Sequence, residues 1–485
     1  MSHGKRSCLG VAAVCLVVFS TKSAADRTVE SWVSSLDMSR TLAAQDKRTF
    51  SSAAPGQESD FVVDGSKTYQ TILGLGSSLE HSTCANLWRL DPAARSEVTE
   101  RLVSPDKGIG MNLMRICIGT PDFTGEPWYS YDDMPAGQTD EDLKNFSIEK
   151  DRAYVIPVLK LALEKNPDLL FFATPWSPPG WMKTTGDLIG GHLYPKYYPH
   201  YARYFAKFIE AYKAEGIPIH AVTVQNEPGV NKKDDVQSWW YPSCQWSLVV
   251  DEDTWWPVPL EIMGHAERDF IRDHLGPTFR QAGIKTRIWC FDHNLNNLWY
   301  PRNILSDSAA AEYVEGTAFH PYAGEASDMG AFHAEFPERN VHLSEGSMYG
   351  VQGAVNIIEF LRNWAASYNA WVTMIDTNGK PNNGPFECTD TCVMLDAETL
   401  SVRYTFDYFM YGQFMKFIQR GAVRIDSGRS TRDFAQVAFR NPDTSIVLVA
   451  ANPAKAPFTC TIGYEEGVLI AELPPESVVT YRWRE

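Results

Sequence analysis

Apolar residues recur along the chain in short strand-like runs, separated by stretches of helical period. The runs cover 72–76, 113–118, 169–173, 221–224, 287–291, 317–319, 341–343 and 371–375. Several are β-branched or aromatic with little alternation, the pattern of strands buried on both faces. Between them, stretches such as 201–212 and 353–367 set apolar residues three and four apart, as amphipathic helices do. Eight strands alternating with helices predict an α/β fold, a (β/α)8 TIM barrel over 71–420, with 405–420 as its last helix. An open nucleotide-binding sheet is disfavoured. Gly74-Leu75-Gly76-Ser77-Ser78 lacks the third glycine of a phosphate fingerprint.

Beyond 420 the period changes to two. Runs at 436–439, 445–450, 459–462, 468–472 and 478–483 read as antiparallel strands of a smaller domain over 421–485. Residues 26–70 are polar, and 61–63 and 67–69 flank Asp64-Gly65 as a hairpin would. This piece has too few apolar residues to stand alone. It is expected to complete the C-terminal sheets, giving a β-sandwich side domain built from both chain ends.

Composition narrows the partners. A net charge of −16 excludes nucleic acid, which needs basic patches. Residues 1–25 read as a signal peptide: Lys5 and Arg6, an apolar stretch from Cys8 to Ser20, then Ser23-Ala24-Ala25 before a cleavage ahead of Asp26. No other segment is apolar over the ~20 residues that a membrane span needs, so a secreted or extracytoplasmic protein is expected. Seven cysteines follow the leader, an odd set that excludes a disulfide scaffold. Cys388 and Cys392 are the one close pair and form a candidate oxidised staple.

Barrel active sites lie at the C-terminal strand ends. The fourth run ends in Asn226-Glu227-Pro228 and the seventh in Ser344-Glu345-Gly346. Proline stops a central strand, which leaves Glu227 at the rim. Two carboxylates meeting from different strands are what glycosidic hydrolysis requires. Glu345 is assigned as nucleophile, kept ionised by Arg115 of the second run and oriented by Tyr322. Glu227 is assigned as acid/base, with its pKa expected to rise by repulsion from Glu345. Asn226 is expected to hold the hydroxyl beside the anomeric carbon. Asp292 and His293 close the fifth run without an assigned role, and His320 reads either as a substrate contact or as a core histidine. Trp239, Trp240, Tyr241, Trp246, Trp255 and Trp256 read equally as sugar-stacking rungs or as the core of a lid. No Ser–His–acid arrangement and no metal-spaced histidine pair is legible, so no metal and no cofactor are expected.

The stretches Asn112-Leu-Met-Arg-Ile-Cys-Ile-Gly-Thr-Pro-Asp-Phe-Thr124, Thr174-Pro-Trp-Ser-Pro-Pro-Gly-Trp-Met-Lys-Thr184, 221–228 and Leu343-Ser-Glu-Gly346 resemble glycoside hydrolase family 30. That family holds glucosylceramidases (acid β-glucosidases) and endo-β-1,6-glucanases. The resemblance covers nearly all of the chain after the leader. It implies a barrel with a sandwich, Glu227 as acid/base, Glu345 as nucleophile, and Asp122, Trp176 and Asn226 holding the terminal glucose, without a cofactor. His320-Pro321-Tyr322 stands where glucosylceramidases tend to have His-Trp-Tyr, and Thr373-Met374-Ile375 is set against their Asp-Trp-Asn after the eighth strand. A retaining, glucosylceramidase-like β-glucosidase is therefore expected, acting on a β-glucoside, a β-glucan or a glycolipid. The rivals are an endo-β-1,6-glucanase and, from another class, an inactive carbohydrate-binding barrel.

Overall fold

The computed structural model describes Met1 and residues 27–53, 58–229, 241–246 and 260–485, so the leader assigned to 1–25 lies, past Met1, outside the described residues. Eight parallel strands form the barrel: β1 (Gly74–Gly76), β2 (Leu113–Ile118), β3 (Leu170–Pro175), β4 (Ile219–Thr223), β5 (Arg287–Asn294), β6 (Val314–His320), β7 (Asn340–Leu343) and β8 (Ala365–Asn369). β1 pairs with β8, and each strand from β3 onward pairs with the one before it. The ring closes where Asn112 N–H donates to Leu75 O at 3.0 Å and Arg115 N–H donates to Ser77 O at 2.9 Å. Helices such as Tyr198–Ala214, Ala326–Glu335 and Gly350–Arg362 return the chain between strands and bury their apolar faces on the barrel.

The eighth strand is not the one expected. It runs over Ala365–Asn369, buried throughout, and the preceding helix stops at Arg362 rather than at 367. Ala-Ala-Ser-Tyr-Asn has almost no β-propensity of its own. Its Ala and Ser side chains fit between β1 and β7, with Tyr368 buried beside them, and packing decides the strand. The more strand-like 371–375 run instead leaves the barrel. Trp371 lies over the rim, and Met374–Asp376 joins Val393–Leu395 and Val402–Tyr404 in a separate three-stranded sheet. Because β8 ends at Asn369, the residues that follow it are Ala370-Trp371-Val372. A tryptophan, Trp371, therefore follows the eighth strand, flanked by Ala370 and Val372.

Side chains two apart on a strand share a face, and the barrel interior is layered accordingly. Leu113, Phe172, Ala221, Trp289 and Ala318 form a dry plug, fully buried. One pleat further toward the C-terminal ends, Arg115, Thr174 and Thr223 replace Leu113, Phe172 and Ala221. Polarity switches within a single step of the strand.

The second domain is an 11-stranded sheet folded on itself. Ser445–Asn452 lies inside it and alternates between two cores: Ile446, Leu448 and Ala450 face the sandwich, while Val447, Val449 and Ala451 face the barrel helices. Both chain ends contribute. Thr28–Ser35 pairs antiparallel with Ser477–Arg484. The hairpin expected around Asp64-Gly65 is one continuous strand, Phe61–Thr71. Its start pairs with Phe458–Tyr464 and the remainder with Val423–Asp426. Asp64 accepts from the N–H and hydroxyl of Ser66, which bends the strand between these partners without reversing it. The expected staple is absent as well. Cys388 and Cys392 are free thiols, and their sulfurs reach separate carbonyls, those of Asp390 and Thr373. No described helix is long and apolar enough to cross a membrane.

Candidate active site

Arg115 lies at the centre of the polar layer, with its side chain fully buried. A buried guanidinium must satisfy its donors. It donates to Glu345 Oε2, to Asn226 Oδ1 at 2.8 Å, to Asp292 Oδ2 at 3.0 Å and to Thr174 Oγ1 at 3.4 Å. Trp176 and Trp371 stack together above it and lie 4.9 and 5.3 Å from its centre. Asp292 collects donors from every side: Arg115, Thr174, Thr223, Ser344 and His320 Nε2. Burial alone would push its carboxyl up. The Arg115 charge and the bond from His320 outweigh burial and hold it well below the usual range.

Glu227 and Glu345 meet across His320. The imidazole Nδ1 lies 3.1 Å from Glu227 Oε1 and 3.8 Å from Glu345 Oε1, which confines the two carboxylate oxygens to within about 7 Å of each other. Both side chains keep a path to solvent, at 16% and 8% exposure. Glu345 accepts from Arg115 on one oxygen and from the Tyr322 hydroxyl, at 2.9 Å, on the other. These are the two partners expected for it. Tyr322 is half exposed as a residue, but the crowding around its hydroxyl and then the Glu345 charge push the phenol up, so it stays a donor.

Glu227 departs from expectation. Burial acts to raise its carboxyl, but the hydrogen bond from His320 and the nearby His293 bring it below its ordinary value. Despite burial, His320 is pushed up to about 10 by Glu345, Asp292 and Glu227. Repulsion from Glu345 was expected to put the proton on Glu227; the imidazole between the acids takes it instead. His320 is thus neither a bland core histidine nor a lone substrate contact.

Backbone strain marks the same spot. Glu227 has φ +45°, and Phe291 and Asp292 have φ +75° and +73°, the left-handed region that costs a non-glycine residue about 1 kcal/mol or more. Glu227 N–H donates to Asp292 O at 3.0 Å and Asn226 N–H to Pro175 O at 2.8 Å, tying the ends of β3, β4 and β5 into one ledge. Asp122 is buried beside them and its Oδ1 has no hydrogen-bond partner among the described residues. Burial, then Glu345 and Glu227, push its carboxyl up to about 8.

All the residues assigned from sequence therefore converge: Arg115, Asp122, Trp176, Asn226, Glu227, His320, Tyr322 and Glu345. Asp292 was noted at a strand end but given no role, although an acid closing an apolar run is the same signal that identified the two glutamates. Thr174, Thr223 and Ser344 carry no such signal. Of the aromatic segment, Trp239, Trp240, Trp255 and Trp256 lie outside the described residues. Trp246 is core, packed against Tyr198, Tyr201 and Phe270. Tyr241 reaches the site, its hydroxyl 3.5 Å from Glu227 Oε2.

Residues 72–253 and 258–418 match the glycosyl hydrolase family 30 TIM-barrel domain, and 421–481 match the family 30 beta sandwich domain. The chain is 32% identical to an endo-1,6-β-D-glucanase of Neurospora crassa over 73% of its own length and 72% of that protein's. To the lysosomal acid glucosylceramidase of Mus musculus it is 28% identical, over 86% and 82% of the two chains. Among solved structures it resembles the endo-β1,6-glucanase BT3312, with a TM-score of 0.81 and 27% identity over 94% of this chain and all of that one. With barrel, sandwich and carboxylate pair on one framework, this chain belongs to glycosyl hydrolase family 30 and is built as a glycosidase.

Proposed function

We propose that the chain is a secreted, retaining β-glycosidase that cuts β-glucosidic bonds by double displacement. The observation that carries this reading is the pair Glu227 and Glu345, held within about 7 Å across one imidazole at the open end of the barrel. Glu345 attacks the anomeric carbon while Arg115 and Tyr322 fix its aim. The glycosyl–Glu345 ester forms as the leaving oxygen takes a proton from Glu227. The Glu227–His320 pair holds that proton on the imidazole before substrate binds. It passes along the 3.1 Å hydrogen bond as charge grows on the leaving oxygen. Esterification removes one of the three carboxylates that hold the imidazolium. Glu227 then takes a proton from water, which attacks the ester and releases sugar with retained configuration. Asn226, Trp176 and the unpartnered oxygen of Asp122 are the sugar contacts.

Among substrates we favour β-1,6-glucan. Four of the matched proteins are named for that activity, and Pro321 stands where a tryptophan is expected of a glucosylceramidase rim. Glucosylceramide is the second reading, supported by the glucosylceramidase relatives. A panel of β-1,6-glucan, glucosylceramide and aryl β-glucosides, with the product anomer followed by NMR, tests both. Release of β-anomeric gluco-oligosaccharides from β-1,6-glucan is expected. Sugar binding without turnover of any of them would establish the inactive barrel instead.

A further inference from the structure

At the ends of β4, β5 and β6, Glu227 and His320 are joined by a third side chain, His293, which the hydrolytic cycle does not use. Glu227, His293 and His320 each offer one ligand atom, and these atoms all lie within 4.8 Å of one another. The glutamate oxygen is 3.1 Å from His320 Nδ1 and 3.7 Å from His293 Nδ1. In a tetrahedral zinc site, neighbouring ligand atoms stand about 3.4 Å apart. His293 Nδ1 is buried and has no hydrogen-bond partner among the described residues, so one donor atom faces the cluster uncommitted. His320 is braced from behind, its Nε2 3.0 Å from Asp292 Oδ1. This carboxylate–histidine arrangement fixes the ring and raises its basicity as a ligand. Arg115, the nearby cation, is already matched by Asp292 and Glu345.

We propose that Glu227, His293 and His320 form a binding site for a single divalent transition-metal ion of the Zn2+ type, and that occupancy blocks the carboxylate at Glu227. Two imidazole nitrogens and one carboxylate oxygen are a donor set suited to Zn2+, Ni2+ or Cu2+ and poorly suited to Ca2+ or Mg2+. Water fills the fourth position, since both Glu227 and His293 keep 16% side-chain exposure. Asp292 and Glu345, within 3.0 and 3.8 Å of the His320 ring nitrogens, add negative charge around the cluster, which suits a cation. No spacing rule could show this site, because the ligands lie at 227, 293 and 320 and only the barrel unites them.

The inhibitory half rests on Glu227 being the acid/base; the binding half does not. The test is titration of the full chain with Zn2+ alone, by calorimetry, in a Cys388→Ser background that removes the partly exposed thiol. One ion per chain is expected. His293→Ala and, separately, the near-isosteric Glu227→Gln should each weaken binding by ~10-fold or more. Co2+ in place of Zn2+ should show visible absorption bands that the His293→Ala variant loses. Hydrolysis of an alkyl β-glucoside, whose poor leaving group needs the proton from Glu227, should fall along the same Zn2+ titration and return on adding EDTA. Unchanged Zn2+ affinity in both folded variants, or no bound ion, would overturn the site. An occupied site with full hydrolysis would overturn the inhibition. Ligand-dependent binding on a chain that hydrolyses nothing would uphold the site while sinking the enzymatic reading.

Discussion

Two adjacent pleats of the same barrel solve opposite problems. In the lower one, Leu113, Phe172, Ala221, Trp289 and Ala318 exclude water mainly by packing, with Trp289 stacked on His342 at 3.9 Å and its Nε1 donating to Glu315. In the upper one, Arg115, Thr174, Thr223 and Asp292 are equally buried, with Glu345 opening to solvent, and all are held by hydrogen bonds and charge. The lower pleat stabilises. The upper pleat is costly to desolvate, and its order is maintained by matching every donor to an acceptor. The comparison teaches that the chemistry does not sit on the core; it is the next layer of the core, made polar by one step along each strand.

Breaking the upper pleat should cost activity far more than stability. Glu345→Ala is expected to lower kcat/KM on every β-glucoside by ~10^4-fold or more, with thermal unfolding little changed. Glu227→Ala should cost ~10^2 to 10^4-fold on glucosides with poor leaving groups and much less on activated aryl glucosides, which need no proton. Equal losses on both would contradict the assigned roles. Breaking the lower pleat should do the reverse. Phe172→Ala leaves a cavity worth about 3 to 5 kcal/mol in denaturant unfolding, while the folded fraction keeps its turnover.

The smallest effect sharpens the comparison through pH. His320 titrates near 10 in the fold against about 6.5 unfolded, so its contribution is complete below pH ~6.5 and is lost as pH rises toward 10. Glu227, held below its ordinary value, contributes above that value and loses its contribution as pH falls. His320→Asn should therefore flatten the alkaline side of the stability profile, by a fraction of the ~1.4 kcal/mol per pH unit that one proton can supply. An unchanged alkaline slope in urea unfolding would show that the imidazole is not charged in the fold.

The layering also explains what the sequence disclosed. Strands β2 to β7 announce themselves because apolar, β-branched and aromatic residues pack on both faces. The two glutamates were legible because each breaks such a run at a proline or a glycine. β8 was hidden because its position between β1 and β7 selects small residues, whose propensity points nowhere. The hairpin at Asp64-Gly65 failed because a turn signal reports local bending and not the partner that the strand then meets. The charge state of Glu227 was misread for a related reason. Two acids were known to approach each other, but the imidazole between them comes from β6, and only the closed barrel puts it there.

The central claim is that Glu345 carries the sugar while Glu227 handles the proton. Incubation with a 2-deoxy-2-fluoro-β-glucosyl fluoride, followed by peptide mass mapping, reads this directly. The account predicts one stoichiometric glycosyl adduct on the peptide bearing Glu345, absent from Glu345→Gln. A label on Glu227, or rapid turnover to the α-anomer with no adduct, would contradict it.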